Sequence, residues 1–164
     1  MLPITTILHA TDFSDQSNFA FRLACSLARD YGARLIVVHV VEPEVAIFGD
    51  GMVVPPPRDQ EPLRAKLHEL IPRDPKVCVE HRLVDGNPAA EILQLAVETE
   101  CDLIMLGTHG RTGLGRLLMG SVAENVVRRA PCPVLTVKTP LAQMQVSEKV
   151  LSQTPSEVAG ATKG

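Results

Sequence analysis

The sequence has few of the features that mark membrane, secreted or nucleic-acid-binding proteins. It contains no Trp and its aromatic share is 3%, so its core must be built from Leu, Val, Ile and Ala. No apolar run approaches the ~20 residues that cross a bilayer, and the start lacks the basic n-region of a signal peptide. A formal net charge of −3 creates no global field for a polyanion. We therefore expect a cytoplasmic protein with no membrane or nucleic-acid partner, in which any anion site is local.

The cysteines also lack the spacing of a metal or redox motif. Neither a C-x-x-C pair nor a zinc-ligand pattern occurs among the four of them, which are Cys25, Cys78, Cys101 and Cys132. Free cysteines are commonly core residues. We interpret them as small hydrophobic side chains that suit a reducing cytosol.

The length of 164 residues fits one domain. We place that domain at residues 1–138 and a flexible C-terminal tail at 139–164, where hydrophobic periodicity is lost. Residues 42–62 contain five prolines and two glycines, so we expect a long irregular loop, and loops of this length are usually functional lids or mobile.

Five apolar runs of strand length alternate with helical patterns, which indicates an α/β fold with a parallel sheet covered on both faces. The runs lie at 6–10, 35–41, 77–84, 103–106 and 134–137. The third run alternates in polarity and is expected at a sheet edge.

Four helices are expected between and after these strands. The first is capped by Ser14 and stopped by Gly32, the second runs near 62–70, the third follows Asn87, and the fourth begins at Ser121. The first helix carries an apolar stripe that should face the sheet, made of Ala20, Leu23, Ala24, Leu27, Ala28 and Tyr31.

A glycine-rich segment follows the fourth strand and ends where a helix opens. Five glycines fall within fourteen residues, at Gly107, Gly110, Gly113, Gly115 and Gly120. Glycines let the backbone approach a ligand, and free amides at a helix start attract anions. Ser121 can add a hydroxyl for a phosphate oxygen or a phosphate-bound metal, and Arg111 and Arg116 can add positive charge. The segment therefore resembles a phosphate cradle, although a purely structural crossover would use glycines in the same way.

The position of this segment favours a ligand site. Thr11 and Asp12 follow the first strand and Gly107 follows the fourth, and ligands of open α/β sheets bind beyond the carboxyl ends of strands at a topological switch point. Two common nucleotide motifs are absent, because no Lys precedes Ser121 and no G-x-G-x-x-G follows the first strand. P-loop ATPases and dinucleotide dehydrogenases are therefore disfavoured.

The glycine spacing is that of a known family. Gly107, two residues, Gly110, nine residues and Gly120-Ser121 resemble the ATP-binding signature of the universal stress protein family. The segments ATDFSDQS, VVHVVEP and DLIMLGTHGRTGLGRLLMGSVAENVVRRAPCPVLTVK are similar to other landmarks of that family, and the resemblance covers Ile4 to Lys138.

This resemblance implies a Rossmann-like, five-stranded parallel sheet in the order 3-2-1-4-5 and a homodimer formed through the last strand, Pro133 to Val137. It implies an adenine site near Thr11, Asp12, Val40 and Leu106. It also implies a site for the phosphates and a Mg or Mn ion near Gly107, Gly110, Gly120, Ser121 and Val122.

We therefore expect a nucleotide-responsive stress protein that binds ATP. At most slow hydrolysis is expected, because no residue is well placed as a general base; His9 and His39 are interpreted as hydrogen-bonded sheet histidines. Two alternatives stay open. One is a structural or adaptor dimer that binds no nucleotide, and the other is an ATP-consuming ligase or transferase, although such enzymes carry a glycine-serine phosphate loop where this chain has ThrAspPheSer.

Overall fold

A five-stranded parallel sheet forms the centre of the computed structural model. The structure describes residues 3–43, 59–108 and 119–138, and the backbone of two short strands at 46–48 and 51–53. In chain order the elements are β1 (Thr6–Ala10), α1 (Asp15–Tyr31), β2 (Arg34–Val41), β3 (Ala46–Phe48), β4 (Gly51–Val53), α2 (Glu61–His68), β5 (Val79–Asp85), α3 (Pro88–Glu98), β6 (Leu103–Gly107), α4 (Ser121–Arg129) and β7 (Val134–Val137). The sheet order β5-β2-β1-β6-β7 confirms the predicted order of the five strands.

Burial of the strands follows their place in the sheet. Ile7 and Leu8 of β1 and the stretch 35–38 of β2 are fully buried, as central strands covered on both faces should be. The edge strand β5 is half-buried or exposed along its whole length, which confirms its expected outer position.

The helix caps form as the sequence predicts. The hydroxyl of Ser14 accepts a hydrogen bond from the Ser17 amide at the start of α1, and Gly32 ends that helix in the left-handed conformation at φ 66°. Asn87 accepts from the Ala90 amide in the same way at the start of α3.

Two apolar layers hold the helices to the sheet. Helices α3 and α4 pack on one face and share a core with Leu8, Ile36 and Ile104. Helices α1 and α2 pack on the opposite face, where Phe21 is buried. The predicted stripe of α1 is therefore partly wrong, because Leu23 and Tyr31 are 37% and 50% exposed while the unpredicted Phe21 faces the sheet.

The expectation of irregular structure throughout 42–62 is wrong. Strands β3 and β4 form a two-stranded antiparallel sheet in which Ala46 is opposite Val53 and Phe48 is opposite Gly51. Only two residues separate the strands, which is the commonest length for a hairpin connection. The tail at 139–164 lies outside the described residues. Among the described helices, none is long and apolar enough to span a membrane.

Candidate functional site

The candidate site lies at the carboxyl edge of the sheet, where β1 separates β2 from β6. Ala10 at the end of β1 is level with Val38 on one side and with Leu106 on the other. The chain leaves β1 towards β2 and later returns to β6 on the opposite side of β1. This is a topological switch point, the usual ligand crevice of open α/β sheets.

The turn after β1 is held by its own polar side chains. Thr11 is buried and shares a hydrogen bond of 2.6 Å with the hydroxyl of Ser17, and its Oγ1 accepts from the Phe13 amide at 3.1 Å. Asp12 Oδ1 accepts from both the amide and the hydroxyl of Ser14, at 3.1 and 2.6 Å. These bonds fix the Asp12 carboxylate at the start of α1. Ser17 was not among the residues predicted from the sequence, where it looked like an ordinary helix residue.

In the described part of the chain, the second oxygen of the same carboxylate has no hydrogen-bond partner. This atom, Asp12 Oδ2, is buried. A buried, unsatisfied carboxylate oxygen is costly, and most such atoms in native proteins are hydrogen-bonded. This oxygen is therefore ready to accept a ligand hydroxyl or to contact a bound cation.

Phe13 adopts an unusual backbone conformation in this turn. Its φ of 63° lies in the left-handed region, which is rare for a bulky residue. Its ring lies 4.4 Å from that of His39 and 4.7 Å from the ammonium of Lys66, measured to ring centroids. His39 also donates from Nδ1 to the Thr11 carbonyl at 2.8 Å, which confirms the interpretation of His39 as a hydrogen-bonded sheet histidine. Packing and hydrogen bonding thus hold a strained backbone beside Asp12, and such strain clusters at functional sites.

The two ends of the glycine-rich segment meet at the end of β6. The Thr108 amide donates to the Val137 carbonyl at 3.0 Å, and the Gly120 amide donates to the Thr108 carbonyl at 2.7 Å. The start of α4 is therefore fixed against the carboxyl end of the sheet. The predicted residues Gly110 and Arg111 belong to 109–118, which lies outside the described residues.

The structure separates the roles of two of the predicted glycines. A Cβ on Gly107 would lie 3.1 Å from Gln16 Cβ and 3.3 Å from the Ser17 amide nitrogen, so the glycine lets α1 approach β6. Gly120 has φ −71° and ψ 155°, an extended conformation that any residue adopts. Packing explains the glycine at 107, whereas backbone conformation does not require one at 120.

Helix α4 begins at this point without a side-chain cap. Ser121 is exposed, and Val122 is half-buried against the core shared with α3. Leu106 is 4% exposed and Val40 is half-buried, and both pack with the same core. The structure thus brings Thr11, Asp12, Val40, Leu106, Gly107, Gly120, Ser121 and Val122 to one edge, and core packing by itself explains Leu106.

His9 lies beneath this edge and is electrically neutral at neutral pH. It is fully buried in β1, and burial lowers its pKa to about 4, although a hydrogen bond to the Met105 carbonyl and the charge of Asp12 oppose this shift. The Nδ1 group donates to that carbonyl at 3.1 Å. His9 is thus a hydrogen-bonded sheet histidine, as predicted. In the part of the chain that the structure describes, no three His, Cys, Asp or Glu side chains cluster as a metal site would require.

The sequence and the fold are both similar to those of one protein family. The model of the universal stress protein family matches residues 3–138. A universal stress protein from Thermus aquaticus is 38% identical over 145 residues, which cover 81% of this chain and 98% of the relative. A solved universal stress protein in complex with cAMP is 31% identical, with a TM-score of 0.64 over 85% of this chain and all of the other. A universal stress protein from Archaeoglobus fulgidus in complex with dAMP is 27% identical, with a TM-score of 0.59 over 84% of this chain and all of the other.

Proposed function

Because the chain belongs to the universal stress protein family, we propose that it binds an adenine nucleotide, ATP with a Mg or Mn ion, at the carboxyl edge between β1 and β6. The role is regulatory: the protein responds to nucleotide in the cytoplasm and hydrolyses it slowly at most. His9 is buried in β1 and hydrogen-bonded to the sheet, and its low pKa makes it a weak base, so it supplies no efficient general base.

The observation that carries this proposal is the unpartnered oxygen of Asp12. Its sister oxygen is anchored by Ser14, so the carboxylate cannot turn away to find a partner without losing two hydrogen bonds. A ribose hydroxyl is a neutral donor of suitable size for a buried carboxylate oxygen. Binding would therefore satisfy an atom whose isolation is otherwise costly.

The start of α4 supports a position for the phosphates. Its N-cap is a glycine whose backbone conformation does not require a glycine, and a glycine adds no side chain beside the first amides of the helix. Those amides and the helix dipole favour an anion. The Gly120–Thr108 hydrogen bond holds this helix start at the same edge as Asp12.

The side chains present fit a metal that enters with the nucleotide. In the described ranges no set of three acidic, His or Cys side chains is arranged to hold an ion alone. Mg²⁺ is usually bound through substrate phosphates and one or two protein oxygens. The exposed hydroxyl of Ser121 is the described group that would contribute, since the Asp12 oxygen is assigned to the ribose. The ion would neutralise phosphate charge when bound.

The two solved relatives support the adenosine part of the proposal. One is a complex with cAMP and the other with dAMP, and both chains align along their full length with this one. Since the two ligands share adenine and a 5′-phosphate, we extend the ligand class to ATP on the strength of the helix start described above.

We further propose a homodimer formed through β7. This strand is at the edge of the sheet, and Leu135 is 37% exposed. An edge strand offers unpaired backbone groups that a second chain can pair with. Light scattering of the wild type and of Leu135→Pro tests this: a dimer that becomes a monomer supports the interface, and an unchanged mass contradicts it.

Isothermal titration with ATP, ADP, AMP and cAMP, each with and without Mg²⁺, tests the nucleotide proposal. Gly120→Val should abolish binding while the thermal transition is retained, because Val fits the extended backbone but blocks approach to the helix start. Ala130→Val is a matched control, since Ala130 is also extended and ends the same helix at φ −59° and ψ 139°. Its affinity should be unchanged. Absence of binding for all four nucleotides would instead favour the adaptor dimer.

A further inference from the structure

Two cysteines that are far apart in the sequence meet at the opposite edge of the sheet. Cys101 precedes β6 and Cys132 precedes β7, and these strands are parallel neighbours. Their sulfur atoms lie 3.5 Å apart. Both are free thiols. The contact is independent of the proposed nucleotide site, which lies at the carboxyl ends of the strands.

We propose that Cys101 and Cys132 are a reversible dithiol site whose substrate is a hydroperoxide, and that oxidation joins them in an intramolecular disulfide. A disulfide requires the sulfurs to approach to about 2.05 Å, so side-chain rotations that close about 1.5 Å are needed. Because the sulfurs are already 3.5 Å apart, the remaining approach is small.

The backbone around both thiols is fixed. The Cys101 amide donates to the Ala96 carbonyl at 3.1 Å, at the end of α3. Cys132 lies between Pro131 and Pro133; a proline fixes its own φ and restricts the residue before it. The Pro133 carbonyl accepts from the Ile104 amide at 3.0 Å and so ties the start of β7 to β6. The two thiols are therefore held next to each other by the fold.

Unequal exposure gives the thiols different roles in the reaction. Cys132 is half-buried and meets the hydroperoxide first, whereas Cys101 is only 6% exposed. The Cys132 thiolate attacks the outer peroxide oxygen, the O–O bond breaks, and a sulfenic acid and water (or an alcohol) form. The Cys101 sulfur then attacks the sulfenic sulfur. The S–O bond breaks, the Cys101 proton leaves with the hydroxyl group as water, and a disulfide remains.

The environment of Cys101 directs the first oxidation to Cys132. Burial and the neighbouring Cys132 raise the pKa of the Cys101 thiol to about 12, so it stays protonated and resists direct oxidation at neutral pH. Its attack on the sulfenic sulfur requires transfer of the thiol proton to the departing hydroxyl group, so the second step should be slower than the first. The hydroperoxide takes up the two electrons that the thiols lose, and an external dithiol such as dithiothreitol returns them. A reversible bond of this kind is compatible with a reducing compartment.

Oxidation should stabilise the half of the sheet that carries the glycine-rich segment. The bridge would close a loop that begins before β6, includes α4 and ends before β7. Closing a loop of this length restricts the unfolded chain and is expected to raise the Tm by about 5–10 °C.

The test is oxidation of the folded full-length protein with hydrogen peroxide, followed by alkylation and peptide mapping without reduction. Free thiols should fall from four to two, and a cross-link should join the peptides of Cys101 and Cys132. Trypsin separates these peptides at Arg111 and Arg116. The Tm should rise as stated above and return to its starting value on addition of dithiothreitol.

Two variants make the result decisive. Cys78→Ser removes the exposed thiol and should oxidise as the wild type does, whereas Cys132→Ser should show neither the cross-link nor the Tm rise. The proposal is overturned if the folded wild type keeps four thiols, if oxidation stops at sulfinic acid, or if the cross-link forms only in denaturant. None of these outcomes depends on whether nucleotide binds.

Discussion

Replacing Asp12 by Asn separates a binding role for this residue from a purely structural one. The amide oxygen of Asn can accept the two hydrogen bonds that Ser14 donates, at 3.1 and 2.6 Å. The change therefore retains the turn after β1. It replaces only the unpartnered Oδ2 by an NH₂ group and removes the negative charge.

Asp12→Asn should change affinity much more than stability. A hydrogen bond to a charged group contributes about 1.5–3 kcal/mol, and each 1.4 kcal/mol is tenfold in affinity. Asp12→Asn should therefore weaken ATP binding about 10- to 150-fold. In the ligand-free protein the variant exchanges one unpaired buried polar group for another and keeps the turn, so its free energy of unfolding should change by less than about 1 kcal/mol.

Isothermal titration and urea unfolding of the same preparations measure the two quantities. Asp15→Asn is the matched control, because Asp15 is exposed in the first turn of α1 and its replacement removes the same charge. This control should lose about 0.3–1 kcal/mol of stability, since it removes an anion from the positive end of the helix. Its affinity for ATP should not change.

A turn-forming role alone predicts no loss of affinity for Asp12→Asn, because the amide oxygen keeps both hydrogen bonds of the turn. If the variant binds ATP like the wild type, the carboxylate serves the turn and the ligand does not contact Oδ2. The proposed contact between the nucleotide and Asp12 Oδ2 would then be refuted.

Three further predictions concern stability, each measured by urea unfolding. Burial lowers the pKa of His9 from 6.5 to about 4, so its contribution to the free energy of unfolding should be present above pH 6.5 and fall by about 2 kcal/mol between pH 7 and 5. His9→Asn should lack this pH dependence, and an equal pH dependence in both proteins would contradict the prediction. Hydrogen bonds from the Thr5 amide and hydroxyl lower the pKa of Asp102, so Asp102→Asn should lower the urea midpoint at pH 7. That deficit should shrink as the pH falls below 3.8, because the unfolded carboxylate then binds a proton while the folded one stays ionised down to its lowered pKa. A deficit independent of pH would exclude this cause. Gly107→Ala should lower the free energy of unfolding by about 1–3 kcal/mol through overpacking, because its Cβ would lie 3.3 Å from the backbone carbon of Gln16. A loss below about 0.5 kcal/mol would show that α1 moves away from the added methyl group without strain.

The main features of the fold could be predicted because local and global signals agree. Strand β2 is a continuous apolar run and is buried on both faces, while the alternating third run became the edge strand β5. Ser14 and Gly32 mark both ends of α1 by hydrogen-bonding and backbone rules that act within a few residues. The order of the strands did not follow from these local rules and came from the family resemblance.

Helix orientation and the hairpin show where such reasoning fails. A stripe at three- and four-residue steps is compatible with several rotations of α1, and the sheet selects the rotation that buries Phe21 and exposes Leu23 and Tyr31. The hairpin of β3 and β4 is not predicted from the sequence, because the prolines around it indicate a loop and each of its strands is only three residues long.

At the site, the sequence could predict which residues share an edge but could not predict what each one contacts. Thr11 and Asp12 follow a strand and were expected at the crevice. The hydrogen bond of Thr11 to Ser17 and the isolation of Asp12 Oδ2 occur in a turn where the backbone of Phe13 is left-handed. Nothing in the sequence indicates that a Phe would adopt this conformation, whose ring contact with His39 is a tertiary one.

The glycine pattern itself combines two different physical requirements. Gly107 has no side chain because α1 would collide with one, and this would hold in a relative that binds no ligand. Gly120 has an ordinary extended backbone at a helix start, so its φ and ψ do not require a glycine. We infer that a ligand approaching the helix amides does. Variants at 107 should therefore lower stability, and variants at 120 should lower affinity.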